Sequence, residues 1–73
     1  MRMDIARAIR EVAAERGLCQ ADISRISGLS DAHVTQIWHG KIKEPSAWVM
    51  YRVAHAMDAT VDEIIERAQT YDG

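Results

Sequence analysis

QADISRISGLSDAHVTQIWHG, residues 20–40, holds two short runs of helical periodicity separated by a glycine. In the first run, Gln20 to Ser27, Ile23 and Ile26 are the large apolar groups, and Gly28 stops it. The second run starts after Ser30, whose hydroxyl suits an N-cap, and ends at Gly40. With successive residues about 100° apart, Ile37 and Trp38 lie close beside Val34. Ala32, Gln36 and His39 point the opposite way, and His33 and Thr35 take the flanks. One stripe anchors this helix and the other side carries amide and imidazole groups.

The flanking sequence keeps the same period. A first helix is expected from about Asp4 to Arg16, capped by Asp4, with Ile5, Ile9, Val12 and Ala13 inward and Gly17 ending it. GKIKEP, residues 40–45, is a polar loop apart from Ile42, and Pro45 cannot sit inside the helix that follows. Ser46 caps a fourth helix with Val49, Met50, Val53, Ala54 and Met57 inward. TVDE, residues 60–63, has the pattern of a capping box and opens a fifth, lined by Val61, Ile64, Ile65 and Ala68. No alternation typical of strands occurs, and neither repeats nor low-complexity segments interrupt the chain. The expected fold is all-α: one compact five-helix domain over residues 1–73, with an acidic helix and tail from about residue 58.

The composition narrows the function. At 73 residues and 48% apolar content the chain is globular, near the lower size at which a domain folds alone. Pairing with a second copy is a reasonable way to add stability. Cys19 is the single cysteine, which excludes an internal disulfide and fits a reducing cytoplasm. The longest apolar run is AWVMY, residues 47–51, too short for a signal core or a membrane span. Net charge is −2, but residues 1–57 hold eight Lys/Arg against six Asp/Glu, whereas residues 58–73 hold one Arg against five acids. The acidity is therefore terminal, and the rest can approach a polyanion. No nucleophile stands beside a base, and no loop has the glycines that cradle phosphates, so an enzyme is the class least supported.

Two short helices joined by a tight glycine turn are the geometric core of a helix-turn-helix. QADISRISGLSDAHVTQIWHGKIKEPS, residues 20–46, resembles the phage-repressor family, of the lambda repressor and Cro type. IREVAAERGLCQ, residues 9–20, resembles the family's first helix and its lead-in, and VMYRVAHAMDATVDEII, residues 49–65, its fourth and fifth helices. The resemblance covers about residues 4–68 and implies sequence-specific DNA binding. It places Asp31, Ala32, His33 and Gln36 where bases are read. It implies backbone contacts for Gln20, Lys41, Lys43 and His39, beside Ser30 and Thr35 on the same helix-turn-helix. Two positions that pair as arginine and glutamate in the family are Ala13 and Trp38 here, so packing is expected to replace an ion pair. Cys19 stands at a cap usually held by Ser, Thr or Asn.

The chemistry of these side chains fits the resemblance. Gln36 offers a donor and an acceptor together, the pattern that adenine N6 and N7 complement, and Ala32 can pack on a thymine methyl. Asp31 can accept from cytosine N4, although an acid in a first helical turn more simply complements the helix dipole. His33 and His39 stand about 240° apart on a helix, so neither metal nor cofactor is expected. Trp38 reads as core, Cys19 as an inert small residue and His55 as solvent-facing. Met57, Ala59, Val61, Ile64, Ile65 and Tyr71 exceed what one small helix needs for its own core, and are expected at a homodimer contact. The resulting reading is a cytoplasmic regulator of transcription, a repressor that binds double-stranded DNA as a homodimer. The alternative is a module for a partner protein, such as an antitoxin-like subunit.

Overall fold

The computed structural model describes residues 3–70, in which five helices follow one another: α1 (Ile5–Glu15), α2 (Gln20–Ser27), α3 (Asp31–Trp38), α4 (Ala47–Ala56) and α5 (Val61–Thr70). Side-chain caps start four of them. The Asp4 carboxylate accepts from the Arg7 N–H at 3.1 Å, Ser30 Oγ from His33 at 3.1 Å, Ser46 Oγ from Val49 at 3.2 Å and Thr60 Oγ1 from Glu63 at 3.1 Å. Each satisfies one of the donors that a helix start leaves open.

Two caps differ from expectation. The box at Thr60 is only half formed, because the Glu63 carboxylate accepts from Arg16 on α1 at 3.2 Å. A box does form where it was not expected, at α2. There Asp22 accepts from the Cys19 backbone N–H at 2.9 Å and from its thiol at 3.3 Å. The carboxylate three residues on thus ties the cap residue to the first turn of α2 through both its N–H and its thiol.

One core unites the helices. Ile9, Val12, Ile23, Val34, Val53, Met57 and Ile64 are the largest wholly buried side chains. α1 packs on α5 and α3, α2 on α3 and α4, and α4 on α5. Among the described residues α3 packs on α1 and α2 alone, which leaves its other side open. The inward stripes expected for α1 and α4 are buried as expected. On α5, Ile64 and Ala68 are buried, whereas Val61 and Ile65 are only partly covered. Arg67 pairs with Glu15, and Arg16 with Glu63, across the α1–α5 seam. Such exposed pairs add little, so burial of Ile64 and Ala68 carries that contact.

Burial separates the two apolar groups of α2 and corrects one expectation at the proposed dimer contact. Ile26 is 46% exposed, because the core face of α2 runs through Ile23, Ser24 and Ser27, about 100° away on the wheel. Met57 and Ile64 have no exposed surface at all, so the monomer's own core consumes them and they offer nothing to a second copy. The apolar surplus over residues 57–65 is thereby reduced to Ala59, Val61 and Ile65, each partly buried. Tyr71, expected at the same contact, lies outside the described residues.

Candidate nucleic-acid interface

α3 is short and held from both ends. Val34 and Ile37 drive one side into the core, and Trp38 packs at its margin. At its carboxyl end, Arg10 of α1 donates from Nη1 to the Trp38 carbonyl at 2.6 Å. That carbonyl belongs to the last turn, where a cation favours both the free acceptor and the helix dipole. Ala13 is wholly buried and Trp38 half-buried, as expected for positions that pack instead of forming an ion pair. Arg10, one turn before Ala13, meets a backbone carbonyl instead of a carboxylate.

With that stripe buried, Asp31, Ala32, Gln36 and His39 are exposed, and His33 and Thr35 are half-buried at the edges. Two of the four positions expected to read bases, Ala32 and Gln36, therefore share the open face with His39. Asp31 is exposed at the start of the helix, on the side of Trp38, and His33 flanks the face with its backbone N–H held by Ser30. The Gln36 backbone carbonyl accepts from Lys41 N at 2.8 Å, which starts the following loop. Gly40 lies at φ 76°, a conformation that costs a residue with a Cβ, and so turns the chain there. Ile42 dips toward the core, leaving Lys41 and Lys43 exposed on either side of it. Two exposed charges are thus held beside α3 by the one apolar residue between them.

Gln20 and Thr35, expected as separate backbone contacts, touch each other. Gln20 Nε2 donates to Thr35 Oγ1 at 2.5 Å and so ties the first turn of α2 to the middle of α3. The Thr35 hydroxyl proton, the second Gln20 N–H and the Gln20 side-chain carbonyl are left by that bond. Both residues can still meet a phosphate, from one braced unit. Asp22 is held below the usual aspartate range, first by the Cys19 backbone N–H, then by the thiol and by Arg25. The carboxylate nearest the amino end of α2 is therefore ionised and paired with Arg25 at 3.2 Å. Lys41 and Lys43 have no ion pair among the described residues.

A capped α2, a glycine turn and an α3 with one buried and one open polar face constitute a helix-turn-helix, and the sequence matches the Cro/C1-type HTH DNA-binding domain over residues 8–69. The chain belongs to that family. Its fold is similar to that of the clp gene regulator ClgR from C. glutamicum, at 23% identity and a TM-score of 0.84. The match covers 94% of this chain and 88% of that one. Comparison with curated proteins returns no match. No helix among the described residues is long and apolar enough to cross a membrane, and they contain no cluster of three His, Cys, Asp or Glu able to hold a metal.

Three features of this Cro/C1-type domain were not legible beforehand. Arg10 reaches the end of α3 across 28 positions of sequence. Arg52 of α4 reaches Ser27 of α2 across 25. On the outer side of α4, Trp48 and Tyr51 are 63% and 53% exposed and stack with centroids 6.0 Å apart, and Tyr51 stacks in turn on His55. Spacing of three and four along residues 48–55 was the only sequence signal for the aromatic row, and nothing signalled the two arginines.

Proposed function

We propose that this domain is a transcriptional repressor that binds a two-fold operator as a homodimer, in the cytoplasm, and blocks a promoter by occupying it. The observation that carries the reading is the open face of α3: Ala32, Gln36 and His39 are exposed on a helix that is buried opposite and capped at both ends. Side chains on so short and braced a helix enter a major groove without backbone in the way. Gln36 is the adenine reader, Ala32 the thymine-methyl contact, and Asp31 and His33 flank them. Gln20, Ser30, Thr35, His39, Lys41 and Lys43 hold the sugar–phosphate backbone.

The homodimer is supported by size and by partial exposure. Recognition helices of a two-fold dimer stand about 34 Å apart, and the long axis of one domain is 32 Å. Ala59, Val61 and Ile65 form the apolar edge on which two copies would meet. The test is fluorescence anisotropy with duplexes from around the chain's own coding region, against a random duplex, combined with sedimentation at micromolar concentration. A selective complex of two chains per site is expected. Equal affinity for all duplexes would remove the regulator reading.

A second reading, a module that binds a partner protein in the manner of an antitoxin, has an observation of its own. Ile26, Trp48 and Tyr51 make the broadest apolar exposure among the described residues, on α2 and α4. Exposed apolar groups that adjoin one another mark interaction surfaces more often than isolated ones do.

A further inference from the structure

The α2–α3 turn consists of Gly28, Leu29 and Ser30, and its dihedral angles decide how α3 stands relative to the rest of the domain. Local bonds hold it in part. Gly28 N donates to the Ser24 carbonyl at 3.2 Å, and Leu29 N donates to Ser27 Oγ at 3.2 Å. One bond comes from elsewhere in the fold. Arg52 of α4 donates from both Nε, at 2.8 Å, and Nη2, at 2.5 Å, to the carbonyl of Ser27.

That carbonyl ends α2 and has no helical donor of its own, so a guanidinium there satisfies it and complements the dipole. Bonds with an ionised donor are about twice as strong as neutral ones. The guanidinium is itself confined: Trp48 covers it with 5.4 Å from the Arg52 Cζ to the ring centroid, and Gly28 lies against it. A Cβ on Gly28 would stand 2.6 Å from Nη2. Gly28 is therefore a glycine for two reasons, its φ of 77° and the room that Arg52 takes.

We infer that Arg52 is a positioning residue for base reading: its two-pronged bond to Ser27 sets the turn that aims α3. The inference rests on the DNA-binding reading above. Lysine cannot reproduce it, because an ammonium lacks the planar fork and the stacking of a guanidinium. Methionine keeps much of the stem under Trp48 while removing every donor. Loss of the bond frees the turn, and contacts that need a fixed angle suffer before contacts to phosphates, which tolerate a tilt.

The experiment compares the full chain with Arg52→Met and Arg52→Lys. One probe is a duplex selected by the unsubstituted protein from a randomised pool, and the other is a random duplex of equal length. Affinity of Arg52→Met for the selected duplex should fall about tenfold, the loss of roughly one good base contact, while affinity for the random duplex stays within about twofold. Arg52→Lys should fall in between. Helix content should be unchanged, and exchange of the Gly28 and Leu29 amides should quicken relative to that of Val12 and Ala13. An unchanged preference in Arg52→Met, or an equal loss on both duplexes, overturns the inference. If the unsubstituted protein selects no duplex, the DNA-reading proposal fails by itself. Amide exchange then decides whether Arg52 sets the turn: slow exchange at Gly28 and Leu29 in Arg52→Met overturns that as well.

Discussion

Gly17 and Gly28 both end helices with positive φ, at 68° and 77°, yet replacing them by alanine should have different costs. The conformational part is common to both. A Cβ in the left-handed region costs roughly 1–2 kcal/mol, and alanine recovers about 0.4–1 kcal/mol by restricting the unfolded chain. Space separates them. Nothing lies within 4 Å of a Cβ on Gly17, whereas on Gly28 the Arg52 Nη2 is 2.6 Å away. A guanidinium could swing aside at little steric cost, but this one is bonded to Ser27 and covered by Trp48. Moving it sacrifices at least one charge-assisted bond to a partly buried carbonyl, about 1.5 kcal/mol. Gly17→Ala should therefore cost about 1 kcal/mol and Gly28→Ala about 2.5 kcal/mol. For a domain of this size the difference corresponds to roughly 6–12 °C in midpoint. Thermal and urea unfolding followed by circular dichroism measure both. Equal midpoints for the two variants would refute the claim that Arg52 occupies the space beside Gly28 at a cost. So would a Gly28→Ala penalty that stays the same when Arg52 is methionine.

Further outcomes are expected at the proposed interface and in the core. Gln36→Ala should lose about 1–3 kcal/mol on a selected duplex and almost nothing on a random one, by anisotropy; equal losses would mean that α3 reads no bases. Lys43→Ala should weaken all duplexes alike and make the slope of log affinity against log salt shallower by about 0.9, and an unchanged slope would remove Lys43 from the phosphate contacts. Met57→Ala should destabilise the chain by about 2–5 kcal/mol at every protein concentration, since Met57 is wholly buried. Ile65→Lys should instead dissociate the proposed dimer and leave the monomer folded, as sedimentation and denaturation together can show. The carboxyls of Asp22 and Glu15 are held low, by the Cys19 N–H and by the Arg67 side chain respectively. Both favour the folded state above their unfolded values, and that contribution is lost as pH falls through the lowered folded values. Asp22→Asn should thus destabilise at neutral pH and flatten the acid limb of an unfolding profile; an acid limb equal to that of the unsubstituted chain would exclude Asp22 from it.

Local chemistry made much of this domain readable from its residues. Ser30, Ser46 and Asp4 cap helices because their side-chain oxygens reach an N–H three residues on, a contact that needs no tertiary partner. The stripe of Val34 and Ile37 follows from helical period alone, and so does the openness of Ala32, Gln36 and His39 opposite it. The helix-turn-helix and its outward polar face belong to this class. Tertiary structure decided what period cannot rank. Ile26 has the same chemistry as Ile23, yet packing buries Ile23 with Ser24 and Ser27 and leaves Ile26 46% exposed. Met57 and Ile64 look like surplus on helices taken singly, but the common core buries both completely. Gln20 and Thr35 meet each other, and Arg10 and Arg52 take helix-end carbonyls that stand 28 and 25 positions away. A long flexible cation finds its acceptor only once packing has put the two together, because the open carbonyl at a helix end exists only after the helix has stopped there.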